Sequence, residues 1–228
     1  MSTLVLASVF LPLSHVGLSR SRLHELLVRK LGERRYLTLY KLITVAAFGW
    51  LITAYRRAPT HVVWITPIGV KLAMLPVVLV AFFLVVAGIT TPNPTVVGAE
   101  SLFDRPDIIR GILRMTRNSF LWGVGLWALA HVVSTGDLAS VLMFGSIGAL
   151  GFIGAPLLDA KQARHHGARW RAFAAATSSL PFLAIAQRRQ QLVVAEIGWW
   201  RIALAVVLFL AALYGHQWAF GVSLLLRR

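Results

Sequence analysis

Histidine is the residue type with which this chain could do chemistry. Seven occur in 228 residues, beside no cysteine and only eight acids. Three of them, His15, His131 and His216, interrupt long apolar stretches. A polar side chain inside lipid must find a partner or face a cavity, so each is a candidate site. Neutral imidazole is the commonest metal ligand, and two imidazoles on facing helices can hold haem iron axially. The competing expectation is that each ring bonds a neighbouring backbone or a Ser or Thr hydroxyl, and spacing alone favours it. Counted from the basic ends of their stretches, His15 lies roughly 5 Å in and His131 roughly 18 Å in, a mismatch for one shared iron.

Other chemistries are thin. Without cysteine there is no thiolate catalysis, iron–sulfur ligation or haem thiolate. Glu25, Glu33, Asp104, Asp107 and Asp159 lie at or beside basic connections, and Glu100, Asp137 and Glu196 at or near connections. No carboxylate sits mid-stretch, which argues against a proton relay through the bilayer. His165 and His166 beside Arg164 could take an anionic headgroup, although a solvated basic face is the simpler reading. Gly123 and Gly125, with Gly145, Gly148, Gly151 and Gly154, recur at helical spacings that allow close helix contact. No glycine-rich phosphate loop is present.

The elements that must position these groups follow from composition. The chain is 57% hydrophobic and 14% charged, where soluble domains carry about 25% charged residues. That excludes an ordinary soluble enzyme, a disordered chain and a disulfide-stapled module. A membrane span needs about 20 apolar residues. Six candidates occur: Ser2 to Leu18, Tyr36 to Tyr55, Ile68 to Ile89, Ser119 to Val133, Leu138 to Leu158 and Ile202 to Leu226. The first is no signal peptide, because its charges follow the apolar run. The expected fold is all-α: a polytopic bundle of about six transmembrane helices forming one domain over residues 1–228. Positive charge exceeds negative by 15, and 18 of the 23 basic residues fall in the first, third and fifth connections or at their edges. Lys and Arg are retained in the cytoplasm on insertion, which places both termini outside. Topology thus accounts for the charge, and a nucleic-acid partner is not expected. The connection from Thr91 to Asn118 begins extended around Pro92, Pro94 and Pro106, then reads as helical from Ile108. The one from Asp159 to Arg201 reads as an amphipathic helix in the headgroup region, followed by a turn at Pro181. Trp199 and Trp200 suit an aromatic belt.

Several runs resemble the NnrU family of integral membrane proteins, which includes plant and cyanobacterial 15-cis-zeta-carotene isomerase. They are L-S-H-V-G from Leu13, L-G-E-R-R-Y-L-T-L-Y from Leu31, I-L-R-M-T-R-N-S-F-L-W-G from Ile112 and L-W-A-L-A-H ending at His131. D-A-K-Q-A-R-x-x-G-x-x-W-x-x-F from Asp159, T-S-S-L-P-F from Thr177 and E-I-G-W-W-R from Glu196 complete the set. The resemblance covers nearly the whole chain. Its carotenoid branch implies a haem b enzyme that isomerises a cis double bond, with iron held by residues matching His15 and His131. Four positions depart from that branch. Asn118 and Ser119 stand where it has His and Pro, Ala128 where it has Cys, and Val16 where it has Ser. The bacterial branch implies an association with nitrite and nitric oxide reduction. A more distant likeness is to the C-terminal half of isoprenylcysteine carboxyl methyltransferases, which would imply S-adenosylmethionine bound near Arg117 and Trp170.

The resulting expectation is a bacterial inner-membrane protein that binds haem b through His15 and His131. Arg117, Glu33 and Arg34 would contact the propionates or pair with one another, since guanidinium binds carboxylates bidentately. Besides membrane lipid, a lipophilic polyene or a diatomic gas would suit such a pocket. A non-enzymatic factor assisting denitrification or haem-protein assembly is the alternative from another class.

Overall fold

The computed structural model describes residues 1–20 and 22–221. Among them all regular structure is helical: α1 (Ser2–Arg20), α2 (Arg22–Leu31), α3 (Glu33–Arg56), α4 (Ile68–Thr90), α5 (Ile112–Met115), α6 (Ser119–Thr135), α7 (Leu138–Ala176), α8 (Leu183–Ala186) and α9 (Trp199–Phe220). Four helices, α3, α4, α7 and α9, are long and apolar enough to cross a membrane, and α1 and α6 are shorter apolar helices. Each of the six expected spans therefore falls on a helix, the last only as far as Phe220, since residues 222–226 lie outside the described ones.

Three boundaries differ from expectation for identifiable reasons. The first basic connection folds into α2, whose apolar Leu23, Leu26, Leu27 and Leu31 recur at helical spacing between charged residues. The stretch from Ile108 forms only the single turn α5, because Thr116 is extended (φ −160°, ψ 141°). The amphipathic segment after Asp159 is the continuation of α7, interrupted at Gly167 (φ 51°, ψ −113°).

The described chain divides into two compact units. Unit one comprises residues 1–74 and 128–154. In it α1 buries Leu4, Ala7 and Leu11, and α3 buries Ala47, Leu51 and Ala54. Both sets follow the three- and four-residue steps that define one helix face. The two helices run antiparallel, as successive contacts show: the Tyr36 hydroxyl donates to the Leu18 carbonyl at 2.6 Å, His15 meets Tyr40, and the rings of Phe10 and Trp50 lie 5.6 Å apart. At the other end of α3, the Tyr55 hydroxyl bonds the Ser140 hydroxyl at 3.0 Å. The connection between α6 and α7 is fastened by N–H groups of Val63 and Trp64 donating to the Gly136 carbonyl. Gly136 has φ 71°, and a Cβ there would lie 2.1 Å from the Trp64 carbonyl oxygen, so a side chain is excluded twice.

Unit two comprises residues 75–127 and 155–228. Here α4 and α6 approach at small residues. A Cβ on Gly123 would lie 2.8 Å from the Ala81 carbonyl oxygen, and one on Gly88 would lie 2.7 Å from the Phe120 nitrogen. Small residues let helix backbones meet closely where lipid supplies no hydrophobic driving force. One apolar cluster gathers Leu84, Ala87, Ile112, Met115 and Ile197, and another gathers Leu113, Trp170 and Phe173.

Candidate functional site

Two polar constellations stand out, one in each unit. In unit one the half-buried His15 of α1 has both ring nitrogens within reach of the Tyr40 hydroxyl, Nδ1 at 2.9 Å and Nε2 at 2.8 Å. His131 of α6 packs its ring 4.6 Å from that of Phe144, which itself lies 6.2 Å from Tyr55. Tyr40 and Tyr55 are fifteen positions apart on α3, a rise of about 22 Å. His15 thus lies toward one end of α3 and His131 toward the other. One iron held by both imidazoles needs both nitrogens at coordination distance. His15 alone, with a hydroxyl beside its ring, is a donor set that suits a single axial ligand. Among the described residues no three His, Cys, Asp or Glu side chains gather into a metal site. His216 lies on α9 with its ring 4.9 Å from Phe220.

Glu33 and Arg34 open α3, and both are exposed. Glu33 in the first turn complements the helix dipole there. Arg34 lines a shallow depression with Arg35, Thr38, Leu39 and Leu42, all on α3 itself, so no second element closes over it.

In unit two Arg117 forms a fork-to-fork pair with Asp159, Nε to Oδ1 at 3.0 Å and Nη2 to Oδ2 at 2.5 Å. Its guanidinium carbon lies 5.2 Å from the centre of the Trp170 ring, and its Nη1 reaches the Thr177 hydroxyl at 3.4 Å. Asn118, only 3% exposed, donates through Nδ2 to Asp159 Oδ1 and to the Ser179 hydroxyl. Its Oδ1 is buried without a partner. The Ser179 carbonyl accepts from the Thr116 hydroxyl and the Trp122 indole, while the Arg117 backbone N–H donates to the Ser178 carbonyl. Thr116 is extended because its neighbours' backbone groups bond this loop instead of continuing α5. The runs T-R-N-S, D-A-K-Q, W-x-x-F and T-S-S-L-P-F, far apart in sequence, therefore close on one another. Arg117 is committed to Asp159.

A second pair fixes the start of α9. Arg114 donates through Nε and Nη2 to the two oxygens of Glu196, at 2.7 and 2.9 Å, and the Gly111 N–H joins at 2.8 Å. Arg114 first, and then the Gly111 N–H, hold the Glu196 carboxyl down at about 2. Arg201 donates to the Thr90 hydroxyl and carbonyl and to the Ile197 carbonyl, placing a cation on the C-terminal end of α4.

Sequence reasoning singled out the histidines and missed Tyr40, Ser8 and the Asp159–Asn118–Ser179 linkage. The rule that polar atoms inside apolar helices need partners applies equally to hydroxyls, and it would have found Tyr40 and Ser8. Asp159 was visible as an acid at a span's edge, without an indication of its partner.

The helices and their polar contacts define a class: a multi-pass helical protein of membrane type, whose polar groups are gathered into ion-paired clusters and isolated side-chain pairs. The chain belongs to the NnrU family, whose model matches residues 3–224. No curated protein and no solved structure matches it.

Proposed function

We propose that the chain is a bacterial inner-membrane protein that binds haem b in unit one, with His15 as the iron ligand. The observation that carries the proposal is the His15–Tyr40 pair, an imidazole on an apolar helix with a phenol at 2.8 Å. A ligating imidazole usually gives its second N–H to an acceptor that fixes tautomer and ring orientation. The Tyr40 oxygen stands within reach of either ring nitrogen and is the acceptor for whichever carries the proton. Arg34, exposed six positions before Tyr40, is one cation left for a propionate once Arg117 is held by Asp159. Bound haem would supply electron transfer or activation of a diatomic gas or lipophilic polyene, and the chain's share is to orient the ring and exclude water. Cis–trans isomerisation of a polyene is the activity the family resemblance suggests for such a site.

A second reading, from a different class, is a non-enzymatic factor for denitrification or haem-protein assembly. It is favoured by the ion pairs of unit two, where Asp159 and Glu196 are both bound to arginines and neither is available for acid–base work. The methyltransferase-like reading is weaker, because Arg117 already has a carboxylate partner within the protein.

The test is the optical spectrum of protein purified from haem-replete cells. The expected result is a Soret band lost in His15→Ala and kept in His131→Ala. Loss in both variants would restore a two-histidine site. A colourless parent protein would overturn haem binding and leave the accessory role.

A further inference from the structure

In unit two the turn that leads from α7 into α8 is built inside out. Its polar residues Thr177 and Ser178 are buried, while Leu180 is 52%, Phe182 48% and Leu183 36% exposed. The outward side chains stand on a firmly bonded backbone. The Phe182 N–H donates to the Met115 carbonyl at 2.8 Å, and the Ala184 N–H to the Ser178 hydroxyl at 3.0 Å. Phe182 itself is left-handed, at φ 63° and ψ −5°. A non-glycine residue in that region is strained and persists only where its surroundings over-determine it. A turn facing water would put its hydroxyls outside and its leucines inside, so this one faces an apolar medium.

Its level in the fold identifies the medium as lipid. The Arg117 backbone N–H donates to the Ser178 carbonyl, and the Thr116 hydroxyl to that of Ser179, just before the apolar helix α6 begins at Ser119. The indole of Trp122, one turn inside α6, also donates to the Ser179 carbonyl at 2.8 Å. The turn is therefore level with the first turn of α6. Past α8 the exposed chain changes character, with Gln187, Arg188, Arg189 and Gln191 all exposed. Residues 160–195 hold six Lys or Arg and no Asp or Glu. Among the described residues neither Arg188 nor Arg189 forms an ion pair. Arg189 donates instead to the Ala175 and Thr177 carbonyls and the Gln187 amide, so no carboxylate meets its charge.

We propose that this segment recognises anionic phospholipid. Leu180, Phe182 and Leu183 enter the acyl region of the leaflet at this end of α6, and Arg188 and Arg189 take the phosphates above it. Apolar insertion and attraction to anionic headgroups reinforce one another in such segments. The site involves neither His15 nor haem.

The test uses the full chain in nanodiscs. Because the chain has no cysteine, a nitroxide can be attached at one introduced position at a time. Its collisions with lipid-soluble oxygen and with a water-soluble nickel chelate report depth. In bilayers containing phosphatidylglycerol, labels at Leu180→Cys and Leu183→Cys should meet oxygen more than nickel, and a label at Gln191→Cys should show the reverse. Arg188→Asn removes a charge at a residue with φ 58°, a conformation asparagine tolerates. It should shift the Leu183→Cys label toward nickel, as should a bilayer of phosphatidylcholine alone. His15→Ala should leave the depths unchanged. A Leu180→Cys label as open to nickel as that at Gln191→Cys would place the turn in water. A label shielded from both probes would mean a protein partner or a second copy, and equal depth in the two bilayers would remove the preference for anionic lipid. Each of these results would overturn the proposal.

Discussion

Replacing Asp159 by alanine leaves the Arg117 guanidinium at the centre of unit two without its carboxylate. Side-chain exposure is 11% for Arg117 and 17% for Asp159, so the pair is largely withdrawn from water. Removing one member of a buried pair costs about 3–5 kcal/mol, mostly through the charge left behind. Two contacts soften the loss here. Trp170 faces the guanidinium at 5.2 Å, and the Thr177 hydroxyl lies at 3.4 Å. A cation over an aromatic ring contributes roughly 0.5–1 kcal/mol or somewhat more when desolvated. Asp159→Ala should therefore fall at the lower end of the range, at about 3 kcal/mol. The double variant Arg117→Met with Asp159→Leu removes both charges and should recover to within about 1 kcal/mol of the parent. Unfolding in mixed micelles by SDS titration, followed by tryptophan fluorescence, measures all the variants, and the cycle isolates the coupling. If each single variant costs less than about 0.5 kcal/mol and the double is additive, the pair behaves as a solvated surface bridge, and unit two is not built around it.

The other expectations concern the remaining close contacts. Because Arg114 and the Gly111 N–H hold the Glu196 carboxyl at about 2 against an ordinary 4.5, its contribution is complete above pH 4.5 and lost as pH falls toward 2. Melting curves across that window should show a steeper acid limb for the parent than for Glu196→Gln, and superimposable limbs would refute this. At Gly123 a Cβ would meet the Ala81 carbonyl oxygen at 2.8 Å and the Val85 nitrogen at 2.9 Å, both backbone atoms that cannot swing aside. Gly123→Val should cost about 1–3 kcal/mol by forcing α4 and α6 apart. Gly49→Ala, with nothing within 4 Å of its added carbon, should be neutral or slightly stabilising in the same unfolding assay.

Legibility of the site followed the range of the interactions. His15 could be singled out because one polar residue in an apolar run is anomalous in itself. Its pairing with Tyr40 could not, because the antiparallel register of α1 and α3 decides which hydroxyl faces the ring. Counting residues already suggested a difference in level between His15 and His131, and which ring His131 meets, that of Phe144, came only from the packing of α6 against α7. Arg117 was recognisable as an arginine that needs a carboxylate. A haem propionate and Glu33 were the partners the sequence offered, and the loop from Thr177 to Phe182 brings α7 and the T-R-N-S turn together so that Asp159 takes the place instead.

What the sequence by itself determined is the local and the periodic: the apolar runs that become helices, the basic connections between them, and the small residues where helices can approach. These features depend on neighbours a few positions apart, and the backbone satisfies its own hydrogen bonds whatever lies opposite. The tertiary structure alone decided which charges meet. Arg117 and Asp159 are 42 positions apart, Arg114 and Glu196 82 apart, and Arg201 and Thr90 111 apart. Pairs at such separations are selected by how loops fold back, because any of several acids could have met the electrostatic need and only packing chooses among them.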